Sequence, residues 1–291
     1  MNNAIGVHAS VWVGGWTPDD QAQAIVSSRA AGYDYLEIAL LDPWSVDVPS
    51  TRVLLADNGL AVNGSLGLSD DTDINSESEE SVAAGERLLR QAVDVIGGLE
   101  GEYLCGVIYS KMGRYRTGPT ERARANAIAA IGRVADHAAD SGVRLGLEVV
   151  NRYETNLLNT ARQAVDFVAE VDRPNVFVHL DTYHMNIEEP DMTTPVLACG
   201  DRLGYVHIGE SHRGYLGSGS VDFGGFFRAL ASIGYAGPIA FESFSSAVVS
   251  DDFATALCIW RNLWSDGADL AQHARGFIDG QIRAVESIGQ H

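Results

Sequence analysis

Four short apolar runs in the second half of the chain each close on a residue that can carry a proton or bind a metal ion. They read Leu145-Gly146-Leu147-Glu148, Val178-His179-Leu180-Asp181, Tyr205-Val206-His207 and Ile239-Ala240-Phe241-Glu242. One acid at the end of a strand is usually a helix cap or an ion-pair partner, but four such residues on consecutive runs point to a shared centre. Three carboxylates and one imidazole form a hard, oxygen-rich donor set, better suited to Mn²⁺ or Mg²⁺ than to thiolate-bound zinc. The expectation is one divalent ion per subunit, Mn²⁺ first with Co²⁺ or Mg²⁺ as substitutes, held by Glu148, Asp181, His207 and Glu242.

These side chains converge only if their runs are neighbouring parallel strands of a barrel, whose carboxyl ends open on one mouth. The first half of the chain supplies four more strand candidates, at residues 4–8, 35–38, 60–63 and 102–107. Helix-length segments lie between them. Thr17-Pro18-Asp19-Asp20 sets a capping hydroxyl before a first-turn proline and two acids, and Gly32 is the matching stop. Apolar residues recur at three- and four-residue spacing over 79–96 and 121–139, and further helices are expected to open at Asn159-Thr160-Ala161 and at Asp222. Eight β–α units in 291 residues, with no linker between them, predict an α/β protein of one domain. The expected architecture is a single (β/α)8 TIM barrel over residues 1–291, with an additional C-terminal helix. A doubly wound open sheet would want a glycine fingerprint after the first strand, and residues 8–16 carry none. The longest irregular stretch, 68–80, is acidic and serine-rich and reads equally as a solvated loop or a lid over the site.

Composition narrows the partners. The net charge is −19, from 39 acidic against 20 basic residues, the wrong sign for holding a phosphate backbone, so no nucleic-acid partner is expected. Lys111 is the only lysine, which leaves a Schiff-base mechanism one candidate. Cys105, Cys199 and Cys258 are too few and too scattered for a disulfide framework or a CxxC metal site, and their apolar surroundings predict buried thiols. The first 16 residues lack a basic start followed by an apolar stretch, and no run has the length of a membrane span. A cytoplasmic protein with no membrane partner is expected.

The same strand ends carry a family resemblance. Glu148-Val149-Val150-Asn151-Arg152-Tyr153-Glu154 resembles the fifth-strand motif of the ketose 3-epimerases, the D-tagatose and D-allulose (psicose) 3-epimerases of the xylose-isomerase-like barrel superfamily. The run from His179 through Asp181-Thr182-Tyr183-His184 to Glu189 resembles their sixth-strand motif. Val206-His207-Ile208-Gly209-Glu210-Ser211-His212-Arg213-Gly214 resembles the seventh, and Phe241-Glu242-Ser243-Phe244 the eighth. Toward the amino terminus the likeness weakens, and His8 stands where many members have an aromatic residue.

The resemblance implies C3 epimerisation of free ketoses, such as D-fructose/D-allulose or D-tagatose/D-sorbose, through a cis-enediolate. It makes Glu148 and Glu242 an acid/base pair as well as metal ligands, and it places Glu154, His184 and Arg213 against the carbonyl end of the sugar. His8 joins them as a substrate-side residue. Inverting a carbon next to a ketone requires removing its proton and returning one to the opposite face, work that two carboxylates on opposite sides of C3 can share. The family also implies homodimers or homotetramers.

Other readings compete. Arg213 in its glycine-rich loop could clamp a phosphate, though no lysine stands near it. An endonuclease IV-type phosphodiesterase would need a larger histidine cluster than the 8 histidines allow, with His137, His273 and His291 falling in helices or the tail. An aldose–ketose isomerase or inosose dehydratase on the same scaffold, or a binding barrel without activity, is the remaining alternative. Trp12, Trp16, Trp44 and Tyr109 are candidates either for sugar stacking or for packing. Trp260 and Trp264, four residues apart, read as one face of a helix or an oligomer contact.

Overall fold

In a computed structural model, which describes residues 1–288, eight parallel strands close into a barrel in sequence order. They are β1 (Ile5–His8), β2 (Tyr35–Ala39), β3 (Ala61–Ser65), β4 (Tyr103–Gly106), β5 (Arg144–Val149), β6 (Val176–Asp181), β7 (Leu203–Ile208) and β8 (Ile239–Phe241). Closure comes from β1 pairing with β8, Ile5 opposite Ile239 and Val7 opposite Phe241. Nearly every strand residue is buried, as a sheet covered on one side by helices and filled on the other requires.

Local chemistry sets the helices that separate the strands. In α1 (Pro18–Ala30) the Thr17 hydroxyl accepts from the backbone of Asp20 while the Asp20 carboxylate accepts from that of Thr17, a reciprocal capping box. Gly32 follows at φ +84°, a conformation that favours glycine. α3 (Glu79–Gly98) and α4 (Glu121–Ala139) cover the predicted spans, and α5 (Ala161–Val171) opens on a second capping box between Thr160 and Gln163. α8 (Phe223–Ser232) buries Phe226, Phe227 and Leu230 against the barrel. Full burial of side chains of this size contributes roughly 1.5–3 kcal/mol each. α10 (Gly267–Ile288) is the additional C-terminal helix.

Inside the barrel an aromatic layer of Tyr35, Tyr103 and Tyr205, with Cys105 and Ala240, forms its own buried cluster. Gly6 makes room for it, because a Cβ there would lie 2.2 Å from the Tyr35 ring.

Several expectations need correction. α2 (Val48–Asn58) is the helix of the second β–α unit, whose bounds the sequence left unassigned, and α6 (Thr182–Glu188), α7 (Thr194–Cys199) and α9 (Asp251–Ala256) are additional helices. Trp260 and Trp264 do not share a helix face: they lie in an irregular segment between α9 and α10, Trp264 buried and Trp260 exposed to 73%. Cys258 is exposed, at φ +56°, not buried like Cys105 and Cys199. Stretch 68–80 holds a short 3-10 turn (Asp70–Thr72) and is pinned rather than freely solvated. The Asp73 carboxylate accepts from the backbone of Lys111 at 3.0 Å and from the Tyr115 hydroxyl at 2.6 Å, tying this loop to the one after β4. His291 lies outside the described residues. Among them, no helix is long and apolar enough to cross a membrane.

Candidate active site

At the carboxyl end of the barrel, Glu148, Asp181, His207 and Glu242 present ligand atoms that all lie within 4.8 Å of one another, and all four residues are buried. Glu148 and His207 sit one residue before the ends of β5 and β7, Asp181 ends β6, and Glu242 follows β8 directly. Parallel register puts their levels together, with Asp181 opposite His207 in the β6–β7 pair.

Each side chain is held by a local partner. Asp181 caps α6, its Oδ1 accepting from the Tyr183 backbone at 2.7 Å, which leaves Oδ2 for the mouth. His207 Nε2 lies 2.9 and 3.1 Å from the Glu37 carboxylate, so its Nδ1 faces Glu148 at 3.6 Å and Glu242 at 3.4 Å. Those two approaches are not hydrogen bonds, and Nδ1 is a fully buried nitrogen without a partner. An unpartnered imidazole nitrogen grouped with three buried carboxylates fits a divalent cation. Asp181 Oδ2, for its part, meets Arg213 Nη1 at 2.9 Å.

Electrostatics divide the carboxylates. Burial pushes Glu148 up to about 8, with His207 opposing it. Burial also favours the neutral form of Glu242, but His207 and Arg213 outweigh it and hold that carboxyl well below its ordinary range. Asp181 is raised by burial despite Arg213 beside it. Burial works against the charged form of His207, yet Glu37 and Glu242 keep it well above the usual histidine value. A cation among these oxygens would favour the ionised form of all three acids and displace any proton on His207 Nδ1.

The other sequence candidates gather around the same point. His184 Nδ1 accepts from both the backbone and the side-chain nitrogen of Asn151, at 3.2 and 2.9 Å, which assigns its proton to Nε2. That Nε2 lies 3.7 to 4.0 Å from Asp181, Glu148 and Glu154. Burial lowers the His184 pKa well below the usual value, so it is a neutral donor. The Glu154 carboxylate accepts from Asn151 at 2.7 Å and is raised by burial. Arg213 stacks its guanidinium 3.9 Å from the Tyr183 ring centroid. Its backbone is held at φ +60° by a hydrogen bond from its N–H to the Glu210 carbonyl.

These residues border a cavity of about 180 Å³. Glu148, Glu154, His184, Arg213 and Glu242 line one part of it, and Leu41, Met112, Phe244 and Phe253 supply apolar wall. His8 also lines it, but both its nitrogens are engaged: Nδ1 accepts from the Ser10 backbone and Nε2 lies 3.3 Å from Ser65 Oγ. None of Trp12, Trp16, Trp44 and Tyr109 borders this cavity. Trp16 lines a neighbouring cleft, Trp44 is exposed, Trp12 is buried, and Tyr109 donates from the core to the Glu148 carbonyl at 2.7 Å. Leu66 and Gly67 reach the cavity, whereas stretch 68–80 does not.

Sequence reasoning missed Glu37, Asn151 and Tyr205. A carboxylate inside the otherwise apolar run Tyr35-Leu36-Glu37-Ile38 was the signal for the first.

Comparison with known proteins gives a consistent picture. Residues 26–281 match the xylose isomerase-like TIM barrel family. An L-ribulose 3-epimerase of Methylomonas sp. (strain DH-1) is 57% identical over 94% of this chain and 96% of its own length. A ketose 3-epimerase of Arthrobacter globiformis is 53% identical over 99% of both chains. The crystal structure of a Methylomonas sp. D-allulose 3-epimerase in complex with D-allulose superposes with a TM-score of 0.95 at 55% identity, covering 96% of this chain and 97% of that one.

Proposed function

The chain belongs to the xylose isomerase-like TIM-barrel family and, within it, to the ketose 3-epimerases, isomerases that act on sugars; on that footing we propose that it inverts C3 of free ketoses. The observation that carries the reading is the pair Glu148 and Glu242, two buried carboxylates that approach the same imidazole nitrogen at 3.6 and 3.4 Å.

In this reading Glu148, Asp181, His207 and Glu242 hold one divalent cation, Mn²⁺ first with Co²⁺ or Mg²⁺ able to serve. When bound, the ion supplies Lewis-acid stabilisation to the oxygens of the ketose. Glu148 and Glu242 take the C3 proton from one face and return one to the other, through a cis-enediolate. Neutral His184 offers its Nε2–H to a carbonyl or hydroxyl oxygen, Arg213 offers a charged donor beside it, and Glu154 accepts from a hydroxyl. His8 flanks the sugar through its ring, packed edge-on against Phe244 at 5.4 Å between centroids. The apolar wall of Leu41, Met112 and Phe253 keeps water from the reacting carbon.

The named relatives support a ketose as substrate: an L-ribulose 3-epimerase, a ketose 3-epimerase and a D-allulose complex. We further place the protein in the cytoplasm, as one barrel domain over residues 1–291 that assembles into a homodimer or homotetramer. Incubating the Mn²⁺-loaded protein with D-fructose, D-tagatose and L-ribulose and identifying the products tests the function. A C3 epimer from at least one is expected, and none from any of the three overturns the reading.

A further inference from the structure

Beneath the four strand-end residues lies a carboxylate that is not part of the cavity lining. Glu37, on β2, is fully buried. Its Oε2 lies 2.9 Å from His207 Nε2 and accepts from the Tyr205 hydroxyl at 2.6 Å, and its Oε1 lies 3.1 Å from the same Nε2. Tyr205 and His207 are both on β7 with one residue between them, so both side chains enter the barrel and meet one carboxylate from across it. His8, opposite Glu37 in the β1–β2 register, has its Nε2 3.9 Å from Oε1.

We propose that Glu37 is a positioning residue for the metal centre: it fixes the His207 tautomer with the proton on Nε2, so that Nδ1 presents its lone pair to the ion, and Tyr205 holds Glu37 in place. This rests on the metal reading above. A carboxylate cannot donate when ionised, so a 2.9 Å contact to Nε2 requires the proton there. The opposite tautomer would set two acceptors against each other in a site without solvent and aim an N–H at the cation. A carboxylate behind a ligating imidazole also raises its basicity and orients its ring. The bonds carry a further constraint. The imidazole is fixed from behind through Nε2 while its free nitrogen has no protein partner, so the ring is set for a ligand before one arrives.

Calorimetric titration of the metal-free protein with Mn²⁺, before and after Glu37→Gln, tests this without turnover. The amide keeps the size and one acceptor but loses the charge. Outer-shell substitutions of this kind typically cost 10–100-fold in metal affinity, and a loss in that range is expected, with less for Tyr205→Phe. Equal affinity in Glu37→Gln and the unmodified chain overturns this proposal alone, whereas no Mn²⁺ binding by the unmodified chain overturns the metal reading and this proposal with it. A measurement on the unmodified, Mg²⁺-loaded protein covers the case in which Glu37→Gln does not fold. Long-range ¹H–¹⁵N spectra of histidine-labelled protein should show His207 protonated at Nε2 and unprotonated at Nδ1. The reverse pattern overturns the proposal.

Discussion

Arg213 Nη1 lies 2.7 Å from Oε2 of Glu242. A guanidinium thus occupies the edge of the same carboxylate cluster into which a divalent ion fits, and it also reaches Asp181 at 2.9 Å. Two cations beside one acidic group repel each other, so Arg213 and the ion share Glu242 only at a cost. What keeps the arginine there is its stacking on Tyr183 and its fixed backbone.

Replacing Arg213 by Met should therefore separate binding of the ion from binding of the sugar. Mn²⁺ affinity should be unchanged or higher. kcat/KM for the preferred ketose should fall about 10- to 100-fold, the range for losing a charged hydrogen bond of about 1.5–3 kcal/mol. Titration calorimetry and steady-state kinetics on the same preparation check both halves. Weaker Mn²⁺ binding would show that the guanidinium supports the cluster instead of competing within it.

The same residue also bears on substrate choice. Arg213 is already committed to Asp181 and Glu242 and has no lysine near it, so a 5-phosphorylated ketose should be a poorer substrate than the free sugar. Comparing kcat/KM for D-ribulose and its 5-phosphate decides the matter, and a clear preference for the ester would identify Arg213 as a phosphate clamp.

Removal of the ion should abolish turnover. Dialysis against a chelator followed by readdition should restore activity with Mn²⁺ or Co²⁺ better than with Zn²⁺, since the donor set is three carboxylates and one imidazole. Undiminished activity in protein shown by elemental analysis to be metal-free would count decisively against the centre.

Glu148→Gln and Glu242→Gln should each slow epimerisation by at least 10²–10⁴-fold, the typical contribution of a positioned acid or base. Exchange of the C3 proton with solvent deuterium distinguishes them. Each variant keeps one base, so each should label one epimer of the pair and not the other, with opposite preferences. Labelling of the same epimer by both variants would point to a single shuttling base.

A prediction about pH concerns Glu210. Its carboxylate accepts from the backbones of Ser211 and Gly217 at 2.8 and 2.9 Å, closing the loop that carries Arg213. Burial raises its pKa, but these backbone donors outweigh it and set it below the ordinary 4.5. A carboxyl depressed in the folded state stabilises it fully above the unfolded value and ceases to do so as pH falls through the folded one. Glu210→Gln should cost about 1–2 kcal/mol at pH 7, a drop of a few degrees in Tm. The gap between the two proteins should close as pH falls below 4.5. A gap that persists unchanged at pH 3 would mean that shape, not charge, holds the loop.

The strand-end residues were legible because a polar side chain closing an apolar run stands out against period-two burial, and because four of them recur at β–α spacing. Glu37 shows the same contrast on β2, three strands before the first of them, but alone, and a single acid in an apolar run has too many ordinary explanations. The ends of α2 were as legible as those of α1, with Asp47 as cap, Pro49 in the first turn and Gly59 at φ +59°, but its short apolar pattern was not picked out. Trp260 and Trp264 misled because four-residue spacing signals a helix only where the chain between is helical, and no backbone rule excluded one there. The proton position on His184 depends on Asn151 across 33 residues of sequence, a tertiary contact that no local pattern encodes.

Because β1 lies against β8, the barrel that carries the centre closes only when its first and last strands meet. A ribosome delivers Ile239–Phe241 after the other seven strands, so until then the growing sheet has two unpaired borders and three of the four strand-end ligands at most. Borders of that kind invite pairing with other chains. Newly made protein thus passes through its most aggregation-prone stage before Glu242 emerges, and a product released upstream of Ile239 would lack both the sealing strand and the last ligand.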